Sequence, residues 1–245
     1  PLRFGWGNAK LSPAVGIFDL PAGYSCPFAK ACHSRADRTT GKITDGKHTE
    51  FRCYAASMEA RISTVRDKRW FNFEQLKLAK TKQGMAELIL ASLLPMARFV
   101  RIHSSGDFFN QAYFDAWVEV ARRRPKTRFY AYTKALPFWI KRKATVPKNL
   151  VLTASYGGTH DRLIEEHGLR YAKVVYSEKE AKTLGLQIDH DDSHAMKNGR
   201  SFALLIHGTQ PINSAAGEAL KTLHRNGVFG YGKSSQHRIA LPVLT

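Results

Sequence analysis

Residues 98–134 read RFVRIHSSGDFFNQAYFDAWVEVARRRPKTRFYAYTK, and this stretch decides the fold. Its two ends, residues 98–103 and 128–132, are short runs with apolar and aromatic side chains, which are typical of buried strands. Between them, residues 111–123 place Trp117 and other apolar side chains on one side, as an amphipathic helix does. A strand, a helix and a second strand in this order predict a βαβ unit, whose strands run parallel.

The same alternation continues on both sides of this unit. Further strands are predicted at residues 14–20, 150–154, 172–176 and 202–207. Further helices are predicted at residues 54–65, 71–94, 137–143, 159–167, 178–184 and 215–225. Six βα units predict an α/β fold with a parallel sheet, which is either an open doubly wound sheet or a barrel-like one.

The length of the chain favours the barrel-like alternative in a shortened form. A full eight-stranded barrel usually needs about 250 residues and two more units. A partial (β/α)6 TIM-like barrel therefore fits the 245 residues best. Because no repeat or long linker interrupts the chain, we expect a single α/β domain over residues 1–245.

In either architecture the active site lies beyond the carboxyl ends of the parallel strands. The predicted strands end at a cysteine-bearing loop, residues 21–53, and at residues 104–107, 133–134, 155–158, 177–178 and 208–210. We therefore expect the functional side chains in these segments.

Charge is the strongest compositional feature. The chain carries 38 Lys and Arg residues against 20 Asp and Glu residues, a formal net charge of +18. Such an excess attracts polyanions, which predicts nucleic acid as a partner, with solubility alone as the simpler alternative. No apolar run approaches the roughly 20 residues that span a bilayer, and the first residues resemble no secretion signal. We expect a cytoplasmic protein with no membrane partner.

The three cysteines, Cys26, Cys32 and Cys53, lie close to the N-terminus. An odd number of cysteines in a reducing compartment does not suit a disulfide framework. Thiolates bind soft metals, so we interpret the three as ligands of a metal or an iron-sulfur cluster. On a four-iron cluster they leave one iron open, and on zinc they leave one position for His33, His48 or water. The alternative is three buried cysteines that act as small hydrophobes.

The order of these features resembles the radical S-adenosylmethionine superfamily. The resemblance rests on a three-cysteine loop after the first strand, the Cys-Tyr-Ala sequence of residues 53–55, and a Ser-Gly-Asp turn after the second strand. It implies a partial (β/α)6 barrel, a 4Fe-4S cluster held by the three cysteines, and S-adenosylmethionine on the open iron. It also implies that Ser105, Gly106 and Asp107 contact that cofactor. The spacing differs from the superfamily's Cys-x3-Cys-x2-Cys, because five and twenty residues separate the cysteines here.

Three longer stretches are similar to a phage family, gene product eighty-eight. They are HSSGDFFNQAYFDAW at residues 103–117, YAYTKALPFW at residues 130–139 and DHDDSHA at residues 189–195. This resemblance covers most of the chain and implies the cytoplasm of a bacterial host, but it implies no activity.

Carboxylates and imidazoles are dense in residues 189–194. Asp189, His190, Asp191 and His194 are the side chains that predict a second site, for a divalent metal or for general acid and base chemistry. Adjacent residues cannot all face one centre, so only some of them could converge. A solvated acidic turn is the alternative.

Basic and aromatic residues alternate in residues 128–143, a combination that single-strand binders use for phosphate contacts and base stacking. A buried strand would show the same alternation. The C-terminal segment, residues 227–245, is also basic and glycine-rich, which suits either phosphate contacts or a mobile tail. The residues that we expect to contact nucleic acid are Lys134, Trp139, Lys141, Arg142, Lys143, Lys233 and Arg238.

Together these features predict an iron-sulfur protein of the radical S-adenosylmethionine type, or a diverged relative, that acts on nucleic acid or a nucleotide. Two other classes remain open at this point. One is a non-catalytic nucleic-acid-binding protein with a structural zinc or cluster, and the other is a metal-dependent nuclease or hydrolase centred on residues 189–194.

Overall fold

The computed structural model describes residues 1–8 and 11–229. The strands are β1 (Gly5–Trp6), β2 (Val15–Phe18), β3 (Ser34–Ala36), β4 (Ile43–Asp45), β5 (Phe99–Ile102), β6 (Arg128–Thr133), β7 (Leu150–Ser155), β8 (Tyr171–Val175), β9 (Gln187–Ile188) and β10 (Phe202–Leu205). The helices are α1 (Tyr54–Arg61), α2 (Ser63–Ala79), α3 (Lys82–Ser92), α4 (Gln111–Arg123), α5 (Leu136–Ile140), α6 (Arg162–Glu166), α7 (Glu178–Thr183), α8 (Ser193–Met196) and α9 (Ala215–Arg225).

Eight strands form one sheet in the order β1-β2-β5-β6-β7-β8-β10-β9. Only β1 is antiparallel to its neighbour, and every other pairing in this sheet is parallel. The strands from β2 to β8 follow one another across the sheet in chain order, as successive βα units do. The remaining two strands, β3 and β4, form an antiparallel hairpin inside the cysteine loop.

One face of the sheet, the helix-covered face, carries apolar side chains at alternate positions. Ile102 of β5, Phe129 of β6 and Leu152 of β7 belong to one core with Trp117 of α4 and Ile89 of α3. All of these side chains are almost fully buried. Because side chains alternate across a strand, the residues between them must face the other way.

The opposite face, here called the cavity face, combines apolar and polar side chains. Its smaller core joins Val15, Phe99, Val151 and Phe202 to Met196 of α8. The short helix α8 therefore covers part of this face, which leaves the carboxyl ends of the strands available to form a site.

The α/β fold and the parallel sheet predicted from the sequence are confirmed. A TIM-like barrel is not shown, because the hydrogen bonding gives a sheet with β1 and β9 at its ends, and these two strands do not pair within the described residues. No helix in residues 1–8 and 11–229 is long and apolar enough to cross a bilayer.

The single helix predicted at residues 71–94 is wrong. The chain instead forms α2 and α3, separated at Lys80, whose φ of 56° is left-handed. The hydroxyl oxygen of Thr81 then accepts a hydrogen bond from the amide of Gly84 at 3.0 Å, which caps the new helix. The helix predicted at residues 54–65 likewise ends at Arg61, because Ile62 is extended.

Candidate functional site

A cavity of about 520 Å³ lies at the carboxyl ends of the parallel strands. Its walls come from the three cysteines, the residues 103–107 turn, the start of α1, and side chains at the ends of β5, β6, β7, β8 and β10. Val174, Leu204 and Ile206 form an apolar part of the wall, and Arg101 and Lys134 provide cationic groups. This cavity, with its mixed apolar and charged lining, therefore lies at the edge of the sheet where the functional side chains are expected from the sequence.

All three cysteines line this cavity and are free thiols, although up to 27 positions separate them in the sequence. Cys26 follows Gly23, whose φ of 72° is left-handed and whose missing Cβ would lie 2.5 Å from the carbonyl oxygen of Ser34. Only glycine allows this approach, which folds the loop back on the β3–β4 hairpin. Cys53 directly precedes α1.

Burial and mutual repulsion shape the electrostatics of the thiols. Burial raises the pKa of Cys26 well above its usual value, and the charges of Asp107, Cys53 and Cys32 raise it further. Burial and the neighbouring Cys32 raise the pKa of Cys53 to about 11, although the backbone amides of Ala56 and Ala55 lower it. Each additional negative charge on these thiols is therefore unfavourable without a cation.

The described residues do not bring the cysteines into a finished metal site. Within residues 1–8 and 11–229, no group of three or more His, Cys, Asp and Glu side chains has an arrangement that could hold a metal ion. The three thiols share one cavity, but a metal centre would have to draw them closer together. The chemistry of the donor set, three free thiols on one wall, still suits a soft metal.

The Ser-Gly-Asp turn is fixed by protein contacts. The carboxylate of Asp107 accepts hydrogen bonds from the Thr133 hydroxyl at 2.6 Å, from its neighbour's amide at 2.7 Å and from the Lys134 amide at 2.8 Å. Burial raises the pKa of Asp107, while these three hydrogen bonds lower it. Gly106 has a φ of 87°, and a Cβ there would lie 2.6 Å from the hydroxyl of Ser25. The turn therefore joins the ends of β5 and β6 and borders the cysteine loop.

A buried network, which the sequence did not predict, links this turn to the cysteine loop. The carboxylate of Glu59 accepts hydrogen bonds from the Ala22 amide at 2.9 Å, from Arg69 at 2.8 Å and from the Ser105 hydroxyl at 3.1 Å. Asp19, at the end of β2, accepts from the Ser105 amide at 2.9 Å. Fully buried carboxylates are stable only when they are paired in this way. Glu59 and Arg69 therefore hold the wall of the cavity in place.

A second site was predicted at residues 189–194. The main contacts of this segment with the cavity face are made by Asp192, which is not one of the four predicted residues. The carboxylate of Asp192 is buried and accepts hydrogen bonds from Arg101 at 2.7 Å, Tyr132 at 3.0 Å and Tyr130 at 3.2 Å. This ion pair joins α8 to the cavity face of β5 and β6. The segment thus acts as a structural support at the cavity rather than as an open acidic turn.

Of the four residues of that prediction, Asp189 and His194 come together. Asp189 is buried, and one of its oxygens lies 3.6 Å from Nδ1 of His194. Asp191 accepts a hydrogen bond from the Ser193 amide at 3.0 Å, while His190 is exposed. Together they form a local turn, and within residues 1–8 and 11–229 no three or more of these side chains form a group that could hold a metal ion.

His103 is a further residue of the cavity wall that the sequence reasoning missed. It has a left-handed φ of 67°, its ring packs on Phe108 and Tyr113, and Nε2 lies 2.9 Å from the Tyr113 hydroxyl. Burial lowers the pKa of His103 to about 3. The sequence could have indicated this position, because His103 directly follows a strand and Arg101 lies two residues before it. Ionisable side chains inside an apolar strand usually have a specific partner.

The residues predicted to contact nucleic acid lie in different surroundings. Lys134 lines the cavity, where its ammonium group donates to the carbonyl of Tyr156 and the hydroxyl of Ser155. Arg142 pairs with Asp115 at 2.7 Å, and Trp139 is partly buried between two cores. Lys141 and Lys143 are exposed, whereas Lys233 and Arg238, with most of the C-terminal segment, lie outside the described residues.

Comparison with known proteins points to a phage family. The family model described as Gene product 88 matches residues 3–223. The Gene 88 protein of Mycobacterium phage L5 is 28% identical over 181 residues, which cover 69% of this chain and 69% of the phage protein. No solved structure matches the chain significantly. These descriptions carry no activity, so the function has to be argued from the site.

Proposed function

The chain belongs to the gene product 88 family, and we propose that it is an iron-sulfur protein of the radical S-adenosylmethionine type, or a diverged relative, that acts on nucleic acid or a nucleotide. One observation carries the proposal. Cys26, Cys32 and Cys53 are distant in sequence, yet all three line one cavity at the carboxyl ends of parallel strands. The expected place of action is the cytoplasm of a bacterial host.

Two features of the sheet support the partial (β/α)6 barrel that this proposal includes. The strands from β2 to β8 follow in chain order, so the sheet has no switch point between them. Helices α2, α3 and α4 all pack on one face, whereas the other face carries the short helix α8 and lines the cavity. A doubly wound sheet would instead carry a full layer of helices on each face.

The chemistry of three free thiols that line one cavity suits a cluster. Cys26, Cys32 and Cys53 would hold it. When bound, the cluster supplies single electrons.

The remaining wall provides binding and the exclusion of water. Val174, Leu204 and Ile206 supply an apolar surface for a ring or aliphatic group, while Lys134 favours a ligand with negative charge. An enclosed site with fixed charges strengthens electrostatic contacts and limits side reactions. S-adenosylmethionine would occupy this space beside the cysteines, next to residues 105–107.

A non-catalytic nucleic-acid-binding protein with a structural metal is the second candidate. The observation in its favour is that the side chains of Ser105 and Asp107 already hydrogen-bond to Glu59, Thr133 and the Lys134 amide. In this alternative the turn supports the fold, and the cysteines hold a zinc or a cluster that performs no reaction.

Metal and sulfide analysis of anaerobically purified protein separates the two candidates. The proposal predicts a brown protein that contains iron and acid-labile sulfide, and that binds S-adenosylmethionine more weakly after Asp107→Ala while keeping its iron. Thr64→Ala, an exposed site on α2 that does not line the cavity, is the matched control. A colourless protein that contains zinc would support the structural alternative, and a protein free of both metals would refute both.

A further inference from the structure

A second, basic pocket lies beside the cysteine cavity. It has a volume of about 370 Å³, and its lining residues are Ala29, Lys30, His33, Gly46, Lys47, His48 and Thr159. Ala29 lines both this pocket and the cysteine cavity, and Cys32 of the cavity directly precedes His33 of the pocket. The two spaces are therefore neighbours along the cysteine loop.

Within residues 1–8 and 11–229, the two lysines of this pocket, Lys30 and Lys47, make no ion pair with a carboxylate. Many other basic side chains in that part of the chain are paired, such as the Arg142 guanidinium with Asp115 at 2.7 Å. Unpaired cations in one concave place create a local positive field that attracts anions.

The acidic residue directly before the pocket in sequence is engaged elsewhere. Asp45 binds the guanidinium of Arg52 through its carboxylate at 2.6 Å. That salt bridge neutralises the charge of this carboxylate.

The backbone holds the pocket in a defined shape. The amide of Gly46 donates to the carbonyl of His33 at 2.7 Å, and the Thr49 hydroxyl donates to the same carbonyl at 3.0 Å. A Cβ at position 46 would lie 2.8 Å from Nδ1 of His33, so only glycine fits there. The segment after the β3–β4 hairpin is thus fastened to the segment that carries Cys32.

We propose that this pocket binds a backbone phosphate of a single-stranded nucleic acid and so directs a neighbouring nucleotide toward the cysteine cavity. The inference rests on the proposed function, because it assigns the partner of the same site. Lysine side chains bind phosphates as point charges, and phosphate contacts fix the position of a strand without reading its sequence. The adjacent cavity would then receive the base or sugar of the next nucleotide.

Charge reversal at the two lysines tests the proposal. The variant carries Lys30→Glu and Lys47→Glu, and the matched control carries Lys179→Glu and Lys182→Glu, two exposed lysines on α7 with the same change in charge. Affinity for a labelled single-stranded 20-mer is measured by anisotropy over a range of salt concentrations. We expect a loss of at least about tenfold for the pocket variant, and a salt slope lower by about 1.4, or about 0.7 for each lost contact.

The control variant should lose much less affinity for the 20-mer. The change in the logarithm of its dissociation constant should be no more than about a third of that of the pocket variant, because a distant charge acts only through a screened field. Equal losses in the two variants would overturn the proposal, because they would show a general effect of net charge. A milder double variant, Lys30→Gln with Lys47→Gln, should show a smaller loss of affinity. It keeps the test valid if the first variant misfolds.

Two further measurements separate the outcomes. A mononucleotide that binds the wild-type protein as tightly as the 20-mer would overturn the assignment to a strand. The iron content of both variants reports on the cysteines independently: weak 20-mer binding with normal iron is the expected result for the pocket variant. Wild-type protein that binds the 20-mer through this pocket but never retains iron would refute the proposed function and leave the pocket intact.

Discussion

The two faces of the parallel sheet are built from alternate residues of the same strands, but they differ in chemistry. On the helix-covered face, Ile102 and Phe129 lie among apolar side chains. On the cavity face, their neighbours Arg101 and Tyr130 contact the buried carboxylate of Asp192. The first face is a continuous apolar core, whereas the second combines a small core with charged groups next to a cavity.

This difference shows how one sheet can serve two purposes. Burial of apolar area stabilises the helix-covered face and does not depend on pH or on a ligand. The cavity face instead keeps ionised groups out of water, which is unfavourable unless every group has a partner. Such groups cost stability and are expected where function needs them.

The largest expected effect is on the buried ion pair of the cavity face. Asp192→Asn keeps the shape of the side chain but leaves Arg101 without its carboxylate. Position 192 has a left-handed φ of 64°, which asparagine tolerates. We expect the free energy of unfolding to fall by about 3–5 kcal/mol, because an unpaired buried charge remains. Urea denaturation at neutral pH measures the loss.

The exposed pair Arg162–Glu166, at 3.2 Å, provides the control for that experiment. Glu166→Gln removes the same charge, but from the surface, and should cost no more than about 1 kcal/mol. Replacing both buried partners, with Arg101→Met and Asp192→Asn, should recover part of the loss. Equal losses for Asp192→Asn and Glu166→Gln would contradict the difference between the two environments.

These charged contacts also mark the limit of what the sequence could predict. The six parallel strands and the amphipathic helix α4 followed from short-range periodicity, and the structure confirms them. Arg101 and Asp192 are 91 positions apart, so no local pattern could pair them. The approach of the three cysteines depends in the same way on tertiary contacts, such as the position of Gly23 against Ser34.

An intermediate effect is expected at His103, which lies where the cavity meets the aromatic core. Its pKa is about 3 in the folded protein and about 6.5 in an unfolded chain. As the pH falls below about 6.5, only the unfolded chain takes up this proton, so the protein loses stability on acidification. Between pH 6.5 and 5 the loss from this group should be about 1.5 kcal/mol.

His103→Asn removes this titration and suits the left-handed backbone of position 103. The difference in unfolding free energy between wild type and variant, measured at both pH values, isolates the contribution of His103 from that of the carboxylates. A difference that does not change with pH would show that His103 is not buried as a neutral ring.

The smallest expected effect is on the helix-covered face. Ile102→Val removes one methylene group from a fully buried side chain and should cost about 1 kcal/mol at any pH between 5 and 8. Because this face does not line the cavity, the variant should keep its metal content and its affinity for nucleic acid. Loss of metal in this variant would show that the two faces are not functionally separate.

The proposed function depends on one metal centre shared by three distant cysteines. The iron and sulfide content per chain of Cys26→Ala, Cys32→Ala and Cys53→Ala, each purified without oxygen beside the wild type, is its sharpest test. We expect iron and sulfide in the wild type and a large loss in all three variants, with the secondary structure kept. Full iron in any one of the variants would contradict a centre shared by the three thiols.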